Sequence, residues 1–254
     1  MITEYYRPQK LKDALDLLAR KDLSALALGG GLYINEVIKD PVAVVDLQDL
    51  GLTEIKKGGK TLTLGGALTL QGLLDSGFAI PALEKAIKHQ ESYNRRQVAT
   101  LAGTIAACGG RSPIIGALLA LDAELELAAA GNGPQTRLLG DILPLRDEIL
   151  AGRLITAVRL PTEVQAAYHY AARSPADLPI IGAAAVQWPS GRTRVVLLGY
   201  GDAPKMVFDG PDAIGADLAA RDAYAEAGDQ WAGADYRSAT AAVLVRRCLE
   251  EFAE

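Results

Sequence analysis

The residues best placed to do chemistry in this chain are small ones. Gly29-Gly30-Gly31 follows the short apolar run Ala25-Leu26-Ala27-Leu28, and Thr100-Leu101-Ala102-Gly103-Thr104 lies in a second stretch rich in glycine and alanine. A glycine run after a buried strand lets backbone N–H groups converge on one point, a nest suited to a phosphate oxygen. The second segment adds two hydroxyls and a compact backbone, so two such segments from adjoining units can grip a pyrophosphate from both sides. A plainer reading is also open. Gly29 to Gly31 can be a simple turn and residues 99–110 a close-packed crossing, because glycine marks turns more often than ligands. On residue types alone both readings stand.

Other chemistry finds little support. Cys108 and Cys248 lie far apart without metal-ligand spacing, and the two histidines, His89 and His169, offer no metal site. No metal is therefore assigned to this chain. Ile34 stands where a dinucleotide fingerprint needs its third glycine. Gly59-Lys60-Thr61 resembles the end of a phosphate loop, but the earlier glycine would fall at Glu54, and the segment reads as a hairpin. There is no Gly-x-Ser-x-Gly elbow and no Cys-x-x-Cys pair, and no side chain stands out as an acid–base catalyst, so no catalytic residue is assigned. Trp188 and Trp231 read as packing or interface residues. Cys108 reads as a small buried apolar residue, and His169 as a residue of an alternating strand that can face solvent.

The elements that must position the two segments follow from periodicity. Leu11, Ala14, Leu15 and Leu18 share one helical face, which predicts an amphipathic helix over 10–20. Residues 25–28 and 42–45 read as strands, giving a small parallel α/β unit. Residues 52–55 and 61–64 flank Lys56-Lys57-Gly58-Gly59-Lys60 as a β-hairpin. Helices are expected over 69–75, 81–90 and 114–121, and strands at 125–127 and 154–160. Beyond Pro161, residues 166–173, 180–188 and 192–198 read as three strands, followed by helices over 212–227 and 236–251. The sequence thus describes an α+β (mixed α/β) chain with its best boundary at Pro161-Thr162.

Length and charge bound the rest. At 254 residues the chain can hold one large or two modest domains. The formal charge of −5 argues against nucleic acid as a partner. No apolar stretch reaches the roughly 18 residues of a membrane span, and the start is not that of a signal peptide. No membrane insertion and a cytoplasmic location are the expectations.

The order of these features resembles the FAD-binding middle subunit of the molybdenum hydroxylases, the carbon monoxide dehydrogenase and xanthine dehydrogenase family. The resemblance is carried by Arg7-Pro8, Leu28-Gly29-Gly30-Gly31, Val45-Asp46-Leu47 and Ala99-Thr100-Leu101-Ala102-Gly103-Thr104. It continues through Leu118-Leu119-Ala120-Leu121-Asp122-Ala123 and the closing Leu154 to Pro161. In the third unit, Arg173 with Asp177 and Tyr236-Arg237 with Arg246-Arg247 are at familiar spacing.

The resemblance implies a PCMH-type FAD-binding domain over 1–161, with subdomains of about 1–51 and 52–161. It also implies a small C-terminal domain over 162–254 with a three-stranded antiparallel sheet and helices. FAD would be held through its pyrophosphate by Leu28, Gly29, Gly30, Gly31 and Leu32 on one side and Thr100, Leu101, Ala102, Gly103 and Thr104 on the other. The subunit would pass electrons from iron–sulfur clusters through FAD to an acceptor, as an oxidoreductase component. Its partners would be a molybdopterin-binding large subunit and a two-iron–two-sulfur small subunit. Against the family pattern, Gly31 replaces a threonine, Ala102 a glycine and Thr104 an asparagine, while Pro113 takes the place of an aspartate. These departures motivate a second reading, a flavin-free structural or assembly paralogue.

Overall fold

The structure is a computed structural model that describes residues 1–22, 24–34, 41–107 and 109–253. In chain order its elements are β1 (Ile2–Tyr6), α1 (Leu11–Leu18), β2 (Ala25–Leu28), β3 (Val42–Asp46), β4 (Ile55–Gly58) and β5 (Thr61–Gly65). Then come α2 (Leu70–Asp75), α3 (Pro81–Gln90), α4 (Tyr93–Arg96), α5 (Leu101–Ala107), α6 (Pro113–Ala120), β6 (Glu124–Ala129) and β7 (Gln135–Leu138). After α7 (Leu139–Ile142) and α8 (Arg146–Leu150) follow β8 (Arg153–Pro161), β9 (Gln165–Ala171), β10 (Ile181–Gln187), β11 (Thr193–Leu198) and β12 (Lys205–Gly210). The helices α9 (Ala216–Ala223) and α10 (Ala234–Glu250) complete the chain. This is the mixed α/β architecture expected from the sequence.

Two compact units form, and neither is continuous in sequence. One contains Met1–Gly77, Tyr93–Ala107 and Glu124–Leu160; the other contains Phe78–Ser92, Cys108–Ala123 and Pro161–Glu254. Two segments before Pro161 therefore pack with residues after it.

In the first unit, β1, β3 and β2 make a parallel sheet in that order. Val42–Asp46 is buried at every position, as suits a central parallel strand covered on both faces. Ala14 and Leu15 of α1 join Val45, Leu47, Ala128 and Leu154 in one apolar cluster. The sequence reading did not assign β1, whose polar and largely exposed residues give no alternating signal. The second sheet has the order β4-β5-β8-β6-β7. Its hairpin turns at Gly59 (φ 58°), and its first strand is Ile55–Gly58 rather than 52–55. The exposed lysines Lys56 and Lys57 thus lie on the sheet edge, where charge blocks pairing with other chains.

The second unit is built on the antiparallel sheet β12-β11-β10-β9. Four strands replace the three expected. The fourth, β12, was missed because it is an edge strand in which Lys205 and Met206 are exposed, and a bulge at Val195/Val196 breaks its register with β11. Ala183, Ala185, Val195 and Leu197 of the sheet pack against Ala220, Tyr224, Ala241, Val245 and Cys248. Burial pushes the Cys248 thiol up to about 12, so it remains protonated at neutral pH.

All eight residues of α6 are buried. The Ser112 hydroxyl caps this helix by accepting from the Ile115 N–H at 3.2 Å. Gly116 leaves room for the Leu198 side chain, whose Cδ2 would lie 2.6 Å from a Cβ built there and would have to shift. His89 of α3 is stacked on Tyr170 at 3.7 Å between ring centroids. One ring nitrogen lies 2.9 Å from the Tyr168 hydroxyl and the other 2.8 Å from the Asp177 carbonyl. Arg237 is fully buried. It donates to the carbonyls of Ile180 and Gly199 and to Asp229 Oδ1.

Candidate functional site

The first unit encloses a cavity of about 520 Å³, within the usual size range of small-molecule sites. The end of β2 and the glycine segment after it form one wall, with Leu28, Gly29, Gly30, Gly31 and Leu32 all lining it. Thr100, Ala102 and Gly103 line the facing part. Eight of the ten residues expected to bind a cofactor therefore share one cavity. Leu101 and Thr104 do not line it; they are 1% and 0% exposed and point into the interior.

The last carbonyl of β2, on Leu28, accepts from the Leu47 N–H at 3.0 Å. The chain then leaves the sheet, and Gly31 takes a left-handed conformation (φ 77°) that favours glycine. Among the described residues, the backbone N–H groups of Gly29, Gly30, Gly31 and Leu32 make no hydrogen bond. Backbone donors left unpaired on a cavity wall need water or a ligand acceptor.

The second segment differs from the expected loop, because residues 101–107 are helical. The alanine-rich composition that suggested a tight crossing favours a helix instead. Thr100 precedes the helix, and its Oγ1 accepts from the Gly103 N–H at 3.2 Å. The other N–H groups are also engaged. Leu101 donates to Leu68 O at 2.9 Å, Ala102 to Gly66 O at 2.9 Å and Thr104 to Thr100 O at 2.9 Å. The expected backbone donors on this side are thus occupied, and the Thr100 hydroxyl hydrogen is the group it can offer. Gly103 lacks a side chain for a steric reason, since a Cβ would lie 2.8 Å from Thr100 Oγ1.

Further lining residues were not foreseen. Gly66 and Ala67 enter the wall after β5, and Leu154 and Ile155 from β8. A Cβ at Gly66 would lie 2.0 Å from Ile155 O and 3.4 Å from Ala102 Cβ. The pair Gly65-Gly66 after a strand was the available signal. Asp147 and Arg153 are the charged side chains among the lining residues. Arg153 stood unmarked just ahead of the strand expected at 154–160, with no glycine motif to draw attention to it.

Other singled-out residues are not among those lining this cavity. His169 is bonded to Glu251 Oε1 at 2.5 Å and does not line it. The guanidinium groups of Arg111 and Arg173 lie over the Trp231 ring, 4.5 and 4.6 Å from its centre, while Arg192 covers Trp188 at 4.6 Å. Cys108 lies outside the described residues. No cluster of three metal-binding side chains exists among the described residues, and no helix among them is long and apolar enough to cross a membrane.

Comparison with known proteins identifies the family. Residues 1–163 match the family model described as the FAD binding domain in molybdopterin dehydrogenase. The chain is 31% identical over 202 residues to the uncharacterized protein YgfM of Escherichia coli K12, covering 78% of this chain and 75% of that one. It is 27% identical to the carbon monoxide dehydrogenase medium chain of Afipia carboxidovorans, covering 97% of this chain and 95% of that one. The solved structure of reconstituted CO dehydrogenase from Oligotropha carboxidovorans superposes with a TM-score of 0.81 at 26% identity, covering 97% of this chain and 96% of that chain. The chain belongs to the family of FAD-binding domains of molybdopterin dehydrogenases.

Proposed function

We propose that this protein is the FAD-binding electron-transfer subunit of a molybdenum hydroxylase-like oxidoreductase complex. The observation that carries the reading is the row of N–H groups from Gly29 to Leu32, without a hydrogen-bond partner among the described residues, in a segment that lines the cavity. Backbone donors in a segment that lines a cavity suit the oxygens of a pyrophosphate. The Thr100 hydroxyl supplies a donor from the facing side, and Leu154 and Ile155 give apolar surface for a ring system. Arg153 adds a positive charge. These residues fit FAD, with Leu28 to Leu32 as the main grip and Thr100 to Thr104 as a contact made chiefly through Thr100, Ala102 and Gly103.

FAD, when bound, supplies the redox chemistry; the protein binds it, orients it and sets its surroundings. The partners proposed are a molybdopterin-binding large subunit and a two-iron–two-sulfur small subunit.

A second reading, a flavin-free structural paralogue, draws on the engaged N–H groups of Leu101 to Thr104 and on the Ala102 methyl beside Gly66. Purification after supplying FAD, followed by a visible spectrum and a titration with added FAD, separates the two. A flavin band near one equivalent supports the electron-transfer subunit. A folded, colourless protein that ignores added FAD establishes the paralogue instead. Co-purification with the two proposed partners tests assembly separately.

A further inference from the structure

We infer that Arg153 is the counter-charge for the phosphate groups of the ligand in the first unit's cavity, and so selects phosphorylated flavins over uncharged ones. The inference rests on the reading of that cavity as a flavin site and goes beyond it by naming a residue outside both glycine-bearing segments.

The charge inventory of the wall is short. Among the described residues that line the cavity, Arg153 is the only cation and Asp147 the only anion. The Asp147 side chain is 97% exposed, so water screens it at the rim. A dinucleotide brings about two negative charges into this space, and a buried charge without a partner is costly. The glycine N–H groups supply partial charges only. Among the described lining residues, a full positive charge comes from Arg153 alone.

The side chain is also held in place. Gly152 (φ 65°) turns the chain out of α8. Arg153 then opens β8, directly opposite Ala129 in the ladder. Its Nη1 donates to the Ile149 carbonyl at 2.5 Å. Among the described residues no other partner of the guanidinium exists, which leaves the rest of its fork for phosphate oxygens. A planar, permanently charged group anchored on one nitrogen loses little freedom on taking up a second partner.

The test is titration of FAD and of riboflavin into the full chain, followed by flavin fluorescence at several ionic strengths, for wild type, R153Q and R153K. Wild-type affinity for FAD should fall as salt rises. R153Q should weaken FAD binding at least about tenfold at low salt and flatten its salt dependence. Riboflavin affinity should change less than twofold, and R153K should retain the salt dependence. Equal FAD affinity in wild type and R153Q would overturn the assignment, as would parallel losses of FAD and riboflavin. If R153Q does not fold, the wild type decides, because salt-independent FAD binding is incompatible with a cation at the phosphates. A wild-type protein that binds no FAD overturns the flavin reading itself and this inference with it; the other outcomes leave that reading intact.

Discussion

The Thr100 side chain fills the space that a side chain on Gly29 would need: a Cβ at Gly29 would lie 2.7 Å from Thr100 Oγ1 and 3.2 Å from its Cγ2. The next residue is still more confined, since a Cβ at Gly30 would lie 1.6 Å from the Val98 carbonyl oxygen. Glycine is therefore required by the close approach of the two segments as well as by any phosphate they bind.

This relationship predicts a coupled pair of substitutions. G29A should destabilise the chain by about 1–3 kcal/mol, the usual range for overpacking. In a T100A background the same change should cost distinctly less, because the obstructing atoms are gone. Urea unfolding of the four proteins in the cycle reads the coupling. An identical penalty in both backgrounds would show that the contact is not the cause. G30A should cost more than G29A, because its obstacle is backbone and no neighbouring side-chain change relieves it.

The ion pair between the buried Arg237 and the solvent-accessible Asp229 gives a second expectation. D229A leaves the buried guanidinium without its anion but with the carbonyls of Ile180 and Gly199, which should cost about 1–3 kcal/mol. R237K should also be poorly tolerated. A lysine cannot serve the carbonyls of Ile180 and Gly199 and the carboxylate together, as the planar fork does. Denaturant midpoints would check both, and a D229A protein of wild-type stability would remove the pair from the unit's essential contacts.

His89 makes stability depend on pH in a defined direction. Burial pushes its pKa below the ordinary histidine value, and Lys85 adds to the effect, opposed by the bond to the Asp177 carbonyl. Neutral His89 is the form the fold accommodates, so its contribution is full above about pH 6.5. That contribution should be lost as pH falls through the lowered folded value. H89Q should be less stable than wild type at pH 7.5, and the gap should narrow towards pH 5. Thermal unfolding across this interval measures it, and a gap that widens on acidification would contradict the assignment.

Asp209 acts in the same direction over a lower range. Hydrogen bonding to Arg192, reinforced by Arg194, holds its carboxyl below the usual carboxylate value. The Arg194 Nη2 lies 2.7 Å from Asp209 Oδ2, and Asp122 closes the network from the other side. The stabilisation is present above about pH 4 and is lost as pH falls through the lowered folded value. D209N should cost stability at pH 6 and little at pH 3, as urea midpoints at the two values would reveal.

The parts of this protein that were legible in the sequence are those whose pattern matches their local environment. Val42 to Asp46 reads as a strand because it is buried throughout, and Gly29 to Gly31 reads as the end of one because the chain leaves the sheet there. The two segments lining one cavity could be located from their surroundings. Their detailed conformation could not, because Thr100 to Thr104 mixes residues that serve a loop and a helix equally well. Arg153 was invisible for a different reason. Its role comes from the cavity it faces, and nothing beside it in the chain announces that cavity. β1 and β12 escaped notice as partly exposed strands whose pairing, rather than their apolar content, makes them strands.

The interleaved composition of the second unit has a consequence for how the molecule can be made and cut. Residues 78–92 and 108–123 leave the ribosome well before β9 to β12, with which they form a compact unit. The wholly buried helix α6 must therefore wait for about a third of the chain before its apolar surface is covered. A fragment ending at Pro161 would carry that surface bare and would tend to aggregate. The position that looks in sequence like a seam is thus a poor place to divide the gene.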